Sequence, residues 1–361
     1  MPLRLARQLN VKRLPAGMQP FAEDAALLIT ATAGGFVLHA IGVPAGWLTG
    51  GMLLVALVAL VRPWQGPSNG LVNVGMVLSG ALIGAAATPE AVEAAQRYPG
   101  SIAILVCSLV MTVAVTGSFL VWAGRWSWLD ALLASAPGAV SAVMVIAREA
   151  TDGLPRVAVI QFFRLFVLVA AIPSVLVLSG PGAVVALPVP APPSWLDSAI
   201  LIVAGFAAGF VLRKFGVVAP FVLGSTMASA ALHASGLVHG TLVLPLAILA
   251  FIVLGGMIGA RLGGLDRGAL LRLMPLALGA FFTSVAVAAL LAWPAAIIAR
   301  VSYGTAFVAF APGGLEAMAL LAVVLGFDPL YVGAHHLVRF MAVGFLLPVA
   351  VKWVMARDAR H

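Results

Sequence analysis

Two stretches of this chain set Pro and Gly in the middle of an apolar run: Ala136-Pro137-Gly138 and Ala311-Pro312-Gly313-Gly314. Proline removes a backbone donor and clashes with the preceding turn, while glycine lets the chain reverse or approach a neighbour closely. In an apolar medium the N–H and C=O groups freed by such a break are costly. They persist only where they line a protein-enclosed or watery cavity. Helix N-termini exposed at a break carry partial positive charge that suits an anion, and C-terminal carbonyls suit a cation. The chemistry indicated is binding and release. The bland alternative is a pair of Pro-kinked helices with no site.

Polar residues cluster around these breaks. Glu316 follows Pro312 by four residues, about one helical turn, and its counterpart after the first break is Ser141. A carboxylate at membrane depth is expected to be paired, protonated or functional. Binding of a coupling ion or proton is the leading reading, and a structural ion pair with an arginine is the alternative. Arg164 and Arg339 each sit well inside the last apolar segment of their half. Snorkelling from there is difficult, so both are expected to face the protein interior. Either they hold an anionic group in bidentate fashion, or they cap the carbonyls of the broken segments. Gln161 precedes Arg164 by three residues and shares its helix face; His336 holds the same place before Arg339. A histidine there could shuttle protons, although a satisfied buried histidine is the commoner case. Its neighbour His335 points to a different face, so the two make no chelating pair.

The elements that carry these residues follow from composition. Of 361 residues, 63% are hydrophobic and 9% charged. Surface-to-volume scaling forces a polar exterior on any soluble domain, so the solvent must be lipid. Twelve apolar segments can be marked, near 25–42, 46–62, 70–87, 100–123, 128–148, 155–180, 196–213, 218–235, 240–260, 272–294, 302–325 and 331–355. The basic N-terminal stretch has no convincing cleavage site before the run Ala25 to Ile41, which is read as a retained first helix. The lone Cys107 excludes an internal disulfide and a cysteine metal cluster. No glycine loop suited to nucleotides is present, and the formal net charge of +8 is read as Lys and Arg at helix ends, with no nucleic acid as partner.

A Pro-rich link at 181–195 separates two similar halves. Gly84 and Gly259, Pro137 and Pro312, Arg164 and Arg339, and Pro173 and Pro348 all stand 175 residues apart; Gly35 and Gly209, and Trp47 and Phe221, stand 174 apart. Such internal symmetry is a feature of secondary transporters. Basic residues choose the orientation. If all twelve segments cross, Lys and Arg divide almost evenly between the two sides. If the two broken segments instead enter and leave on one side, only Arg97 and Arg300 remain outside, with Arg164 and Arg339 in the membrane and every other Lys and Arg inside. That bias favours the second arrangement, in which the second half is inserted upside down. Trp47, Trp64, Trp122, Trp126, Trp128, Trp195, Trp293 and Trp353 fall near segment ends and are read as interfacial anchors.

With Trp47, Leu48 and Gly50 near the second helix, and Ala311-Pro312-Gly313-Gly314-Leu315-Glu316-Ala317-Met318, the chain resembles the bacterial AbrB membrane-protein family over about residues 25–355. This family is distinct from the small soluble DNA-binding regulator of the same name. Its members have been labelled regulators of gene expression and, elsewhere, ammonia monooxygenases. The resemblance also implies a distant relation to cation–proton antiporter and anion-transporter folds. The first copy departs from the family stretch, with Ala139 for the second Gly and Ser141 for Glu, which puts any need for two carboxylates in doubt.

The expectation is an all-α polytopic membrane protein of two inverted repeats. Each repeat has about five crossing helices and one re-entrant or broken segment. The divisions are an N-terminal lead 1–24, repeats 25–180 and 196–356, the link 181–195 and a tail 357–361. The expected function is secondary transport of a small anionic or organic solute with proton or cation coupling, in a bacterial inner membrane with both termini cytoplasmic. The candidate binding residues are Glu316, Arg164, Arg339, Ser141, Gln161, His336, Pro137, Gly138, Pro312, Gly313 and Gly314. No enzyme activity, cofactor or metal is expected. The partners are the lipid bilayer, the solute and its coupling ion, and a homo-oligomer is left open. The six scattered histidines supply no copper-ligand cluster for a monooxygenase. The alternative is a membrane protein that influences gene expression without transport.

Overall fold

The computed structural model describes residues 19–43, 45–62, 66–85, 95–138, 140–178, 193–217 and 219–358. The start of the N-terminal lead, most of the Pro-rich link and the end of the tail therefore lie outside the described residues. The described elements are helical. The first half runs α1 (Gln19–Ala40), α2 (Gly46–Val61), α3 (Asn69–Gly84), α4 (Tyr98–Gly124), α5 (Trp128–Ser135), α6 (Val140–Ala150) and α7 (Leu154–Leu178). The second half repeats that order: α8 (Trp195–Lys214), α9 (Pro220–Ala234), α10 (Leu244–Ala260), α11 (Arg267–Ala299), α12 (Tyr303–Phe310), α13 (Leu315–Val324) and α14 (Pro329–Asp358).

The repetition extends to backbone detail. Among the described residues the non-glycine positions with positive φ are Ala45 (53°) and Ala219 (51°), and Arg125 (52°) and Arg300 (54°). These are two equivalent pairs. Left-handed backbone at a non-glycine residue is uncommon, so its recurrence at matching places marks one unit used twice.

Segments within α1, α4, α7, α8, α10, α11 and α14 have the length and apolarity to cross a bilayer, and the chain is a membrane protein on that basis. Of the ten crossings expected, α2, α3 and α9 are shorter, at 16, 16 and 15 residues. A helix of that size reaches about 24 Å, against a hydrocarbon core of about 30 Å. Helix α2 packs between the longer α1 and α10, while α3 and α9 pack on each other and against α10 and α8 respectively. Helix α1 begins at Gln19, earlier than the apolar run indicates. The acidic residues of its second turn find partners elsewhere: Asp24 accepts from the Ser68 N–H at 2.7 Å and from its hydroxyl, and Glu23 lies 3.5 Å from Arg62.

Two crossings hold one layer together. Helix α9 lies on α3, where a Cβ added to Gly80 or Gly84 would run into the Val222 or Thr226 carbonyl. Helix α10 lies on α2 at the equivalent Gly255 and Gly259, against the carbonyls of Leu48 and Met52. Backbones this close leave no room for a side chain, which is why small residues drive helix association in lipid. Hydroxyls lock the first crossing, with Ser225 donating to the Val77 carbonyl at 2.7 Å and Ser229 to that of Ala81 at 2.8 Å. The long helices α4 and α11 pack on each other in the second layer, together with α5–α7 and α12–α14.

Trp122, Trp128, Trp195, Trp293 and Trp353 are exposed at helix ends, as anchors should be. Trp126 corrects that expectation: it is buried under the Arg156 guanidinium, 5.6 Å from its ring centroid. Arg156 comes from the start of α7, so a tertiary neighbour decides the matter. Trp47 stacks on His39 at 5.2 Å, and Trp64 lies outside the described residues.

Candidate functional site

Each broken segment is two short helices. Ser127 caps α5 by accepting from the Asp130 N–H at 3.1 Å, and Ser302 caps α12 by accepting from that of Thr305 at 3.1 Å. Both helices end on the residue before proline, where the ring of Pro137 or Pro312 disfavours helical backbone. Ala136 and Ala311 turn extended there, with ψ of 118° and 135°. The chain then restarts as α6 and α13.

The two ends of each segment lie together. Asp130, in the first turn of α5, accepts from the Thr151 hydroxyl just past α6 at 2.6 Å and lies 3.6 Å from Arg156 of α7. In the second half, a Cβ on Gly304, near the start of α12, would touch the ring of Phe327, which lies beyond α13. The chain therefore reverses between the two short helices of each segment. At 8 and 11 residues, α5 and α6 reach about 12 and 16 Å, each near half a bilayer core.

Replacing Asp130 with Ala is expected to cost about 1–3 kcal/mol, since the part-buried Thr151 hydroxyl loses its acceptor and Arg156 its carboxylate. Arg156→Ala should cost less, about 1 kcal/mol, because its part-exposed guanidinium pairs only weakly with Asp130, although it also covers Trp126. Thermal unfolding of the detergent-solubilised variants checks the order.

The breaks expose the last carbonyls of α5 and α12, and α7 and α14 cover them. Gln161 donates to the carbonyls of Leu133 at 2.8 Å and Ala136 at 2.9 Å. Arg164 donates to Ser135 at 3.3 Å, Ala136 at 3.0 Å and the Gln161 side-chain oxygen at 2.6 Å. In the second half His336 donates through Nε2 to the Val308 carbonyl at 3.1 Å. Arg339 donates to the carbonyls of Ala309 and Ala311. Val308 is the counterpart of Leu133 and Ala311 that of Ala136, so Gln161 and His336 perform one task with different chemistry. Both arginines are buried. Of the two readings open in the sequence, their hydrogen bonds are those of carbonyl caps. His335 departs to another neighbour, with Nδ1 on the Tyr331 carbonyl at 2.7 Å and Nε2 on the Ser101 hydroxyl at 2.8 Å.

The two tips meet. Gly138 has φ of +98°, and a Cβ there would lie 2.9 Å from Cδ of Arg339 and 3.8 Å from the Gly313 oxygen. Beside this contact is a cavity of about 50 Å³, bounded by Gly138 and Val140 of the first break, Gly314 and Leu315 of the second, and Ile258 and Arg261 at the end of α10. The first turns of α6 and α13 both reach its wall, and their leading N–H groups have no partner within their own helices. Ser141 and Glu316 occupy these first turns by backbone position; their side chains lie outside the described residues. Pro137, Pro312 and Gly313 form the tips. Sequence reading missed Arg261, which it had counted only among the loop cations, because nothing local marks it as a neighbour of the breaks.

A protein-family model described as transition state regulatory protein AbrB matches residues 47–355. A Bacillus subtilis (strain 168) protein named "Uncharacterized protein YhjN" is 24% identical over 356 residues, covering 90% of this chain and 91% of its own length. An Escherichia coli (strain K12) protein named "Putative regulator AbrB" is 27% identical over 267 residues, covering 72% of this chain and 75% of its own.

Proposed function

Starting from a chain that belongs to the AbrB family, we propose that it is a secondary transporter of a small anionic organic solute, coupled to protons or another cation. It works in a bacterial inner membrane with both termini on the cytoplasmic side. Its halves are inverted repeats, and the paired short helices α5–α6 and α12–α13 are hairpins that enter the membrane from opposite faces and touch at their tips. The observation that carries this reading is the meeting of Gly138 with Arg339 and Gly313 beside a small cavity. Helix N-termini from both breaks reach that cavity, an arrangement that favours negative charge.

Glu316 sits in the first turn of α13, beside the cavity wall formed by Gly314 and Leu315. A carboxylate there supplies the ionisable group that coupling needs. Ser141 holds the same register in α6, so one coupling ion per solute follows from the asymmetry.

The test is uptake of a panel of small mono- and dicarboxylates into proteoliposomes, with and without an imposed pH or sodium gradient. Gradient-driven uptake of at least one solute is expected. Glu316→Gln should abolish the gradient dependence, and Glu316→Asp should retain it. Wild-type gradient dependence persisting in Glu316→Gln would remove Glu316 from the coupling role. Absence of uptake across the panel would favour a membrane protein acting in regulation without transport.

A further inference from the structure

One repeat unit is packed in two ways within this molecule. In the second half, α13 is docked on α3: Ala319 is buried in one apolar cluster with Ile83 of α3 and Val222 of α9. The equivalent residues in the first half are Met144 of α6, Ile258 of α10 and Leu48 of α2. These do not share a cluster. Ile258 and Leu48 belong to the central core, and Ile258 lines the cavity. Met144 instead packs into the cluster built from α4, α5, α7, α11 and α14. The cavity thus lies on the α10 side of the two tips.

We infer that this is one of two alternating states. In the other, α6 closes on α10 and brings Met144 to Ile258, while α13 leaves α3 and separates Ala319 from Ile83. The cavity then passes to the α3 side. This rests on the inverted-repeat transporter reading. Exchanging the packings of two like units yields a second state of similar contacts, and packed elements of this kind switch between discrete arrangements. The surfaces suit the exchange, because Met144 meets Met257 and Ile258, an apolar patch with an adaptable thioether on each side.

Ser79 provides an independent observation. It lies on α3 at the position equivalent to Leu254, which lines the present cavity. The Ser79 hydroxyl is fully buried and has no hydrogen-bond partner among the described residues, a costly condition for a polar group. In the exchanged state it faces the cavity and gains water.

The experiment uses the full chain in proteoliposomes on a Cys107→Ser background. Ile83→Cys with Ala319→Cys should be joined readily by a short thiol cross-linker. Met144→Cys with Ile258→Cys should also be joined, more slowly. In single variants, Leu254→Cys should react promptly with a small maleimide and Ser79→Cys more slowly, and the Met144–Ile258 cross-link should make Ser79→Cys react at least about ten times faster. A first pair that cross-links while the second never does, or Ser79→Cys that stays unlabelled while Leu254→Cys reacts, overturns the exchange. If the wild type carries no solute while both pairs cross-link, the transporter reading fails and the two states stand.

Discussion

Arg339→Ala is expected to lower the stability of the solubilised protein by about 2–4 kcal/mol and to abolish solute uptake. The guanidinium donates to the carbonyls of Ala309 and Ala311, at the end of a helix that proline prevents from continuing. Truncation leaves the Ala309 carbonyl buried without that donor and takes from the Ala311 carbonyl the charged one of its two donors, the other being the Gly313 N–H at 2.7 Å, at about 1–3 kcal/mol each. Relief of the cost of burying the guanidinium offsets part of this. At this chain length the change corresponds to about 3–5 °C in the unfolding midpoint. Arg339→Lys should recover part of the stability, because an ammonium is a compact charge that lacks the planar fork. Arg164→Ala should cost less, since Gln161 continues to donate to Leu133 and Ala136 in its absence. Equal losses for the two arginines would show that Gln161 does not share the task.

The second large effect is expected at the first tip. Gly138→Ala forces an L-residue to φ of +98°, a strained backbone of about 1–3 kcal/mol. It also sets a methyl 2.9 Å from Cδ of Arg339, so the guanidinium must shift from its carbonyls or the tips must part. Uptake should fall at least about tenfold, the equivalent of about 1.4 kcal/mol in the transporting state. Gly313→Ala is the control. It lacks positive φ, so its cost is one of packing alone: its methyl would meet the side chain of the buried Met318. A Gly313→Ala variant as damaged as Gly138→Ala would argue against a special role for the first tip.

Much of this site was legible along the chain. Pro137 and Pro312 announce where α5 and α12 must stop, because the ring restricts the preceding residue whatever surrounds it. The equivalence of Gln161 with His336 and of Arg164 with Arg339 was legible from spacing alone. The bias of Lys and Arg pointed to segments that return to the side they entered. Asp130 accepting from the Thr151 hydroxyl, and the Arg156 guanidinium lying over the Trp126 ring, are contacts between the two ends of the first such segment.

Other features carried no local signal. Which of two chemistries the arginines perform depends on carbonyls 28 to 30 residues away. Trp126 has the sequence context of an anchor and is buried because Arg156 folds over it. His335 is a neighbour of Arg339 along the chain, yet its partner Ser101 is 234 residues distant.

From the residues alone one reads a membrane protein whose motifs recur at one spacing, where its apolar segments break, and which polar residues accompany each break. Apolarity, the missing proline donor and repeated spacing act on a residue and its near neighbours, so they can be read in order along a chain. Only the tertiary structure decided that the guanidinium groups cap broken helices, that Gly138 rests on Arg339, and that the cavity lies toward α10. Those outcomes depend on which surfaces win the competition for buried space, and that competition is settled between segments far apart in sequence.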